Sequence, residues 1–436
     1  MRKIVVAPAC TDLNRGDQAL VWESVYFAND LEPGNVDCRI IDTGDTPEER
    51  ELQTSQTENE GFKLLRNVLG HPRRGKTLNS NKVHDGVGML LFMAINALKD
   101  FLCLNLLLLF PKYHRLFLRD SNKIDCFKFI VESDYIFIKG GGFLHTYGSL
   151  SDFYYIWYQT YYMLLGYRLN KKVIILPNSF GPFTQKTLAT KYLTFILSKC
   201  TKIYVREKIS LSILQNELKL DNASYAPDFG YFINPIECDD FDYLDSIKRT
   251  KVAITARPYR FPKSDDPKKK YSEYISSLAQ FSDWLTTEKN CDVYFITQVK
   301  GPSAHEDDNI AISDVQALTK FPNRHIDIDG DYRQLANLYS KFDVVTGTRF
   351  HSVIFSQVYG VPAFAIAYGG NKSRGIMREL GLEEYVVDIE DSNPELLIAM
   401  YEKLELNKSD YLHTLSLANE NNAAQRKLML EEVLNA

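Results

Sequence analysis

The most informative stretch of the chain holds an arginine, a histidine and a lysine whose spacing suits chemistry on a small anion. Arg349 and His351 lie two residues apart, so they share one face of an extended loop. Lys372 follows the next predicted strand. Guanidinium and ammonium groups bind carboxylate and phosphate, and an imidazole donates or accepts a proton near neutral pH. The block predicts a cationic pocket for a small polyanion, with an ordinary basic rim as the alternative.

Two further groups of candidates also follow predicted strands. Gly140-Gly141-Gly142 would let backbone N–H groups turn towards an anion, and tight turns use the same residues. His145, just beyond, could bind a ligand or move protons, or could be structural. Arg206 ends a strand and suits bidentate capture of carboxylate or phosphate, although an internal pair with Glu207 is the alternative.

Three weaker candidates complete the set. Asn14-Arg15-Gly16-Asp17 precedes a predicted helix, where Asp17 can cap the helix and its first amides can bind an anion. Arg257 follows another strand and adds positive charge. Asp307 and Asp308 could contact sugar hydroxyls. A helix cap, or a solvated charged face, explains these residues about as well.

The elements that must position these residues alternate between strand and helix. This order predicts α/β architecture with two Rossmann-like lobes, whose mainly parallel sheets face a central cleft. A cluster of Pro, Asp and Gly near residues 227–245 indicates the boundary. We expect an N-terminal lobe on the acceptor side over 1–225, with an insertion at about 45–125. A C-terminal lobe on the donor side follows over 226–400, and C-terminal helices over 401–436.

Charge and cysteine content exclude several classes of protein. The formal net charge of the 436 residues is −5 and no long basic run occurs, so nothing favours nucleic-acid binding. The seven cysteines include no CxxC pair, which argues against a structural zinc site and favours a reducing compartment. The apolar run at Lys3–Ala7 is short and predicts a first strand rather than a signal peptide. We expect a cytoplasmic protein without a metal, and its oligomeric state stays open.

Two segments of the insertion have distinct compositions. Residues 44–60 are polar and lack an apolar period, which predicts an exposed loop or a weak helix. Met89–Phe110 is rich in leucine but contains Asn96 and Asp100, which favours a buried or amphipathic helix over a membrane-spanning one. The basic residues that follow keep peripheral membrane contact through residues 89–119 open.

Taken together, these segments resemble the polysaccharide pyruvyl transferase family. The segments that carry the resemblance are Asn14-Arg15-Gly16-Asp17, Gly140-Gly141-Gly142, Gly181-Pro182-Phe183, Arg206 with Ser210, Pro227-Asp228, Asp307-Asp308, Arg349-x-His351, Gly360-x-Pro362 and Lys372. The resemblance implies a GT-B-like fold and phosphoenolpyruvate (PEP) as donor, with no other cofactor. It also implies two hydroxyls of a hexose-containing glycan as acceptor. Cytoplasmic PEP and the leucine-rich segment favour the hypothesis that this acceptor is lipid-linked.

The resemblance also implies roles for individual residues. Arg206, Arg349 and His351 match positions that hold PEP, with His145 and Lys372 completing the site. We expect one of the two histidines, His351 first and His145 second, to be the acid–base group. Gly141, Gly142 and Ser352 are assigned to the donor site, and Asn14, Asp17, Arg257, Asp307 and Asp308 to the acceptor. A glycosyltransferase that uses a nucleotide sugar and a non-catalytic subunit of a polysaccharide-synthesis complex stay open as alternatives.

Overall fold

The protein consists of two compact α/β units in a computed structural model. The structure describes residues 1–8, 11–74, 87–149, 151–236, 238–303, 305–370 and 372–436. The N-terminal unit comprises Met1–Asp12, Leu20–Ala226 and Lys427–Ala436, and the C-terminal unit comprises Leu13–Ala19 and Pro227–Arg426. Part of the predicted insertion, residues 75–86, lies outside the described residues.

The N-terminal unit contains one sheet of eight parallel strands. Its strands are β1 (Arg2–Ala7), β2 (Val36–Ile41), β3 (Lys63–Leu65), β4 (Tyr135–Ile138), β5 (Gly141–Leu144), β6 (Lys172–Phe180), β7 (Lys202–Val205) and β8 (Ala223–Tyr225). They lie in the order β3-β2-β1-β4-β6-β7-β8, and β5 pairs with the far end of β6. The central strands contain continuous apolar runs, such as Ile4–Ala7 in β1 and Val173–Leu176 in β6, because helices cover both faces of a parallel sheet. The predicted parallel α/β architecture is confirmed for this unit.

Eight α-helices begin in the described part of the first half of the chain. They are α1 (Arg15–Leu31), α2 (Pro47–Asn59), α3 (Val87–Leu109), α4 (His114–Phe117), α5 (Ser121–Glu132), α6 (Asp152–Arg168), α7 (Leu188–Leu197) and α8 (Lys208–Ser212). α2 forms although its sequence lacks an apolar period. The Thr46 hydroxyl accepts a hydrogen bond from the Glu49 amide, and the Glu49 carboxylate accepts one from the Thr46 amide. This capping box replaces the missing hydrophobic pattern as the signal for the helix.

Helix α3 differs from the prediction of a buried helix. Leu104, Leu107 and Leu108 are its buried residues, and most of its other apolar side chains are exposed. By length and composition it could cross a membrane. The prediction of a buried helix is therefore wrong. The alternative prediction of an amphipathic helix fits, but the apolar side of α3 faces outwards.

The C-terminal unit contains a second parallel sheet, of six strands. The strands are β9 (Lys251–Thr255), β10 (Asp292–Ile296), β11 (Arg324–Ile326), β12 (Val344–Gly347), β13 (Ala363–Ala367) and β14 (Val386–Asp388). They lie in the order β11-β10-β9-β12-β13-β14. The loops after β10, β9, β12 and β13 therefore leave the same edge of the sheet in adjacent positions, which is where a parallel sheet binds ligands.

The helices of this unit cover both faces of the six-stranded sheet. They are α9 (Pro267–Thr287), α10 (Asp308–Gln316), α11 (Tyr332–Ser340), α12 (Phe350–Val358), α13 (Lys372–Glu379), α14 (Pro394–Leu406) and α15 (Lys408–Asn435). The end of α15, from Lys427, belongs to the N-terminal unit. α12 begins directly after β12, so Arg349 is its N-cap and His351 lies in its first turn.

Candidate functional site

A buried ion pair fixes Arg349 in the C-terminal unit. Its Nε and Nη2 each lie 2.7 Å from Oδ1 of Asp308, and Nη2 also donates to the Glu306 carbonyl at 2.7 Å. Oδ2 of Asp308 accepts hydrogen bonds from the amides of Gln298 and Val299. Burial opposes the charge of Arg349, but Asp308 outweighs this effect, so the pKa of the guanidinium is raised. Nη1 makes no hydrogen bond to the described residues, which leaves that side of the guanidinium to a ligand.

His351 packs against backbone that carries no side chain. A Cβ on Gly16 would lie 2.6 Å from Cγ of the imidazole, and a Cβ on Gly230 would lie 3.5 Å from its Cδ2. Nε2 is 3.8 Å from Oδ1 of Asp228, a buried carboxylate that also accepts the Gly230 amide at 2.8 Å. The two glycines therefore leave the space that the ring occupies, and a buried carboxylate lies close to its Nε2.

Three cations surround Tyr368 at the carboxyl ends of adjacent strands. Arg257, after β9, places its Cζ 3.9 Å from the centre of the Tyr368 ring. Burial tends to raise the pKa of Tyr368, but Arg257, Arg349 and Lys372 outweigh burial and lower the pKa to about 8. Nε of Arg257 is buried and makes no hydrogen bond to the described residues. The cluster is a concentration of positive charge suited to an anionic ligand.

Arg206 lies in a polar network of the N-terminal unit. It is almost fully buried, and its Nε donates to Oγ of Ser179 at 2.8 Å. Ser179 in turn donates to Oε2 of Glu207 at 2.9 Å, and Ser210 donates to the other oxygen of that carboxylate. A Cβ on Gly142 would lie 3.3 Å from Nη2 of Arg206. Gly142 therefore leaves the backbone open beside the guanidinium, as the prediction of a donor site requires.

His145, the second candidate histidine, follows β5, a strand in a segment where the sequence predicts a turn. Two of the three glycines belong to β5 (Gly141–Leu144), which pairs with β6. His145 is half-buried, with ring centres 4.9 Å from Tyr147 and 5.4 Å from Tyr155. Burial lowers the pKa of His145, against the opposing effect of Asp152. The imidazole is therefore mainly neutral at pH 7.

Similarity to known sequences identifies the family. A profile described as polysaccharide pyruvyl transferase matches residues 14–370. This chain belongs to the polysaccharide pyruvyl transferase family. The amylovoran biosynthesis protein AmsJ of Erwinia amylovora is 24% identical over 272 residues. That match covers 60% of this chain and 63% of AmsJ, so it spans less than two thirds of the relative.

Solved structures of other proteins share the fold of this chain. The UDP-GlcNAc 2-epimerase from Neisseria meningitidis, bound to UDP-GlcNAc, has a TM-score of 0.57 at 11% identity, with all of both chains covered. Anabaena Alr3699/HepE in complex with UDP-glucose has a TM-score of 0.56 at 10% identity, again with full coverage. Likeness at this level of identity shows the fold alone. It confirms the GT-B-like fold class predicted for this pyruvyl transferase family member.

Two of the predicted site residues, Asp308 and Ser352, contact other parts of the protein and do not face a ligand. Asp308 is fully buried and both of its carboxylate oxygens accept hydrogen bonds from the chain, so the predicted contact with acceptor hydroxyls does not fit. It positions Arg349 instead. Ser352 is also fully buried, and its hydroxyl donates to the Arg349 carbonyl at 2.6 Å, which stabilises the start of α12 rather than a donor. Asp307 caps α10 by accepting the Asn309 amide at 3.0 Å.

The motif Asn14-Arg15-Gly16-Asp17 lies beside His351. The residue that caps helix α1 is Asn14 and not Asp17. Oδ1 of Asn14 accepts the amides of Gly16 at 3.1 Å and Asp17 at 3.3 Å, so α1 begins earlier than predicted. Asp17 is half-buried on the first turn of α1. Burial raises the pKa of the Glu306 carboxyl, and the negative charge of Asp17 raises it further. The acceptor roles of Asn14, Asp17, Asp307 and Arg257 stay predictions.

The described site residues fall into one set in each unit. Arg349, His351, Lys372, Arg257 and the first motif belong to the C-terminal unit, and Arg206, His145 and the glycines to the N-terminal unit. The convergence of both sets on one donor stays a prediction. Tyr368 belongs to the same sequence block but is not among the predicted site residues, although it directly follows β13, the placement that selected the other candidates.

Replacing Gly16 with alanine should lower turnover about 10²-fold, because the new Cβ displaces the His351 ring. Overpacking should cost about 1–3 kcal/mol of unfolding free energy, which urea denaturation measures. Gly88→Ala is the matched control, since its Cβ would meet open space on α3. Wild-type turnover in Gly16→Ala would show that catalysis does not need the ring in this position.

Proposed function

We propose that this protein transfers the pyruvyl group of PEP to two hydroxyls of a hexose, in a polysaccharide or its lipid-linked precursor, and releases phosphate. The product is a pyruvate ketal, and the reaction takes place in the cytoplasm. Family membership supports a transferase of this class. The observation that carries the proposal is the cluster of Arg257, Arg349 and Lys372 around Tyr368. PEP joins a carboxylate and a phosphate on three carbons, so a compact group of cations suits it better than a bulky nucleotide.

The reaction needs one proton delivered and two removed. Protonation of the PEP methylene carbon makes it a methyl group and leaves positive charge on the central carbon. The first sugar hydroxyl forms a C–O bond to that carbon and loses its proton. The C–O bond to phosphate then breaks, and the phosphate leaves with the electron pair of that bond. The second hydroxyl forms its C–O bond to the central carbon and closes the ring, and its proton goes to the departing phosphate, which leaves as hydrogen phosphate.

The residues of the C-terminal unit have matching roles. His351 delivers the proton to the methylene carbon and takes one from a hydroxyl, because it can do both near neutral pH. Oδ1 of Asp228, at 3.8 Å from Nε2, is the carboxylate oxygen that lies close to this ring. Arg349 binds the donor through the side of the guanidinium that Asp308 leaves open, and Lys372 neutralises the departing phosphate. Arg206 is the donor ligand expected from the N-terminal unit.

Mass spectrometry of reaction mixtures tests the proposed function. The protein is incubated with PEP and a panel of galactosides, glucosides and mannosides, and a ketal adds the mass of pyruvate less one water. Thermal unfolding with PEP or with UDP-sugars is the parallel arm, since a ligand of the native state raises Tm. Stabilisation by a UDP-sugar, together with no mass gain and no PEP-dependent phosphate release, would favour a nucleotide-sugar glycosyltransferase instead.

The affinity for PEP should fall as the pH rises above 8. Tyr368 has its pKa lowered to about 8, so it is mainly neutral at pH 7 and becomes a phenolate at higher pH. A phenolate would neutralise part of the cationic cluster and compete with the anionic donor. The phosphate of PEP is already ionised in this range, since such groups titrate near about pH 6. We expect Kd for PEP, by calorimetry, to rise by up to about tenfold per pH unit above this pKa.

Two phenylalanine variants distinguish the titration of Tyr368 from a general loss of PEP affinity at alkaline pH. Tyr368→Phe should bind PEP with little change between pH 7 and pH 9. Tyr259 neighbours Tyr368, but burial and Glu390 raise its pKa to about 12, so Tyr259→Phe should keep the wild-type profile. An alkaline loss of affinity that persists in Tyr368→Phe would assign the titration to another group.

A further inference from the structure

Helix α3 carries a continuous apolar stripe on its exposed side. Seven side chains, 41% to 84% exposed, follow one another at intervals of three or four residues, the spacing of one helix face. They are Val87, Leu91, Ile95, Leu98, Leu102, Leu106 and Leu109. A 23-residue helix is about 35 Å long. Soluble proteins rarely expose a contiguous apolar surface of this extent without a partner for it.

The orientation of α3 is fixed by Asn96 and Asp100, two polar residues that contact other parts of the N-terminal unit. Nδ2 of Asn96 donates to the Pro72 carbonyl at 2.9 Å, and Asp100 accepts a hydrogen bond of 2.7 Å from Nη2 of Arg74. Further along, the Tyr161 hydroxyl donates to the Leu104 carbonyl at 3.2 Å. These contacts hold the polar side inwards, so the exposure of the stripe is built into the unit.

The charges around the stripe select the kind of partner. Val87–Arg119 contains four basic residues and one acidic residue, Asp100, in a chain whose overall charge is −5. Lys99 is exposed on the helix itself, and Lys112, Arg115 and Arg119 are exposed just beyond it. Tyr113 and Leu116 lie between them and are 61% and 72% exposed. Apolar side chains fringed by basic residues match an anionic lipid surface.

We propose that α3 and the segment to Arg119 lie along the surface of an anionic lipid bilayer. The seven apolar side chains of the stripe enter the boundary between headgroups and acyl chains, and Lys99, Lys112, Arg115 and Arg119 contact lipid phosphates. Crossing the bilayer is disfavoured, because Leu104, Leu107 and Leu108 are packed in the core of the N-terminal unit. A second copy is disfavoured as the partner, because two basic fringes would repel each other.

This surface would bring the enzyme to the place where a lipid-linked acceptor is displayed. The surface does not depend on the proposed function, because it is defined by exposure and charge alone. Its test therefore measures binding to vesicles and not turnover.

Co-sedimentation of the full-length protein with vesicles tests the proposal. Wild-type protein should sediment with vesicles of phosphatidylglycerol and phosphatidylcholine, with about tenfold weaker binding to phosphatidylcholine alone and a loss of binding at high salt. Combined Leu91→Gln, Leu98→Gln and Leu102→Gln should weaken binding at least about tenfold, because apolar insertion is lost. These side chains are exposed, and glutamine keeps the helix propensity, so the variant should fold.

A matched variant separates the stripe from exposed leucine in general. Leu188, Leu406 and Leu417 are exposed on other helices, and their combined replacement by glutamine should leave vesicle binding unchanged. Lys112→Gln, Arg115→Gln and Arg119→Gln should weaken binding only to the anionic vesicles. Equal sedimentation of wild type and the α3 leucine variant would overturn the proposal. A dimer in ultracentrifugation that this variant abolishes, without vesicle binding, would assign the stripe to a second copy.

Discussion

His351→Asn should produce an enzyme that binds PEP but hardly turns it over. Asparagine is polar and fits the space between Gly16 and Gly230, but it cannot exchange a proton in this pH range. Loss of a positioned general acid–base group should lower kcat by about 10²–10⁴-fold. Calorimetric titration should give a Kd for PEP close to that of the wild type, because the cationic cluster is intact. Phosphate release and ketal formation should decline together, since both follow the first protonation.

His145→Asn decides between the two histidines. If His145 only lines the donor site, this variant should retain more turnover than His351→Asn. The reverse result, with PEP binding kept in both, would move the proton transfer to His145. His413 is exposed on α15, so His413→Asn is the matched control and should behave as the wild type. Full turnover in both site variants would remove histidine from the acid–base chemistry.

The sheets of this protein could be predicted from the sequence because their strands are short apolar runs. β7 (Lys202–Val205) and β13 (Ala363–Ala367) are strands of this kind. Helices whose boundaries depend on polar capping were harder to place. α1 begins at Arg15 because Asn14 caps it, and a search for an apolar period finds its start too late.

The cationic residues of the candidate site could be predicted from the sequence, but the residues that position them could not. Arg349 and Lys372 stand out because they follow strands, and strand ends of a parallel sheet meet at one edge. Asp308 was expected to face an acceptor, because a charged residue in a loop is normally solvated. Its burial depends on Arg349, 41 residues further along the chain, and no local pattern reports such a partner. The contact between Gly16 and His351 is hidden in the same way.

Asp308→Asn should destabilise the protein and weaken PEP binding together. The substitution keeps the shape of the side chain but leaves the Arg349 guanidinium buried without its countercharge. Breaking a buried ion pair by removing one partner costs about 3–5 kcal/mol, so the midpoint of urea unfolding should fall clearly. Arg349 would also lose the contact that sets its orientation, which should raise Kd for PEP. Asp307→Asn is the matched control, because asparagine caps a helix as well as aspartate does.

A double variant separates the stability of the ion pair from its function. Replacing both partners, as Arg349→Met with Asp308→Leu, removes two buried charges at once, and such exchanges are often neutral or stabilising. The double variant should therefore regain the unfolding free energy that Asp308→Asn loses, yet fail to bind PEP, because the proposed donor ligand is absent. If it binds PEP as the wild type does, Arg349 supports the structure only, and the donor must be held by other cations.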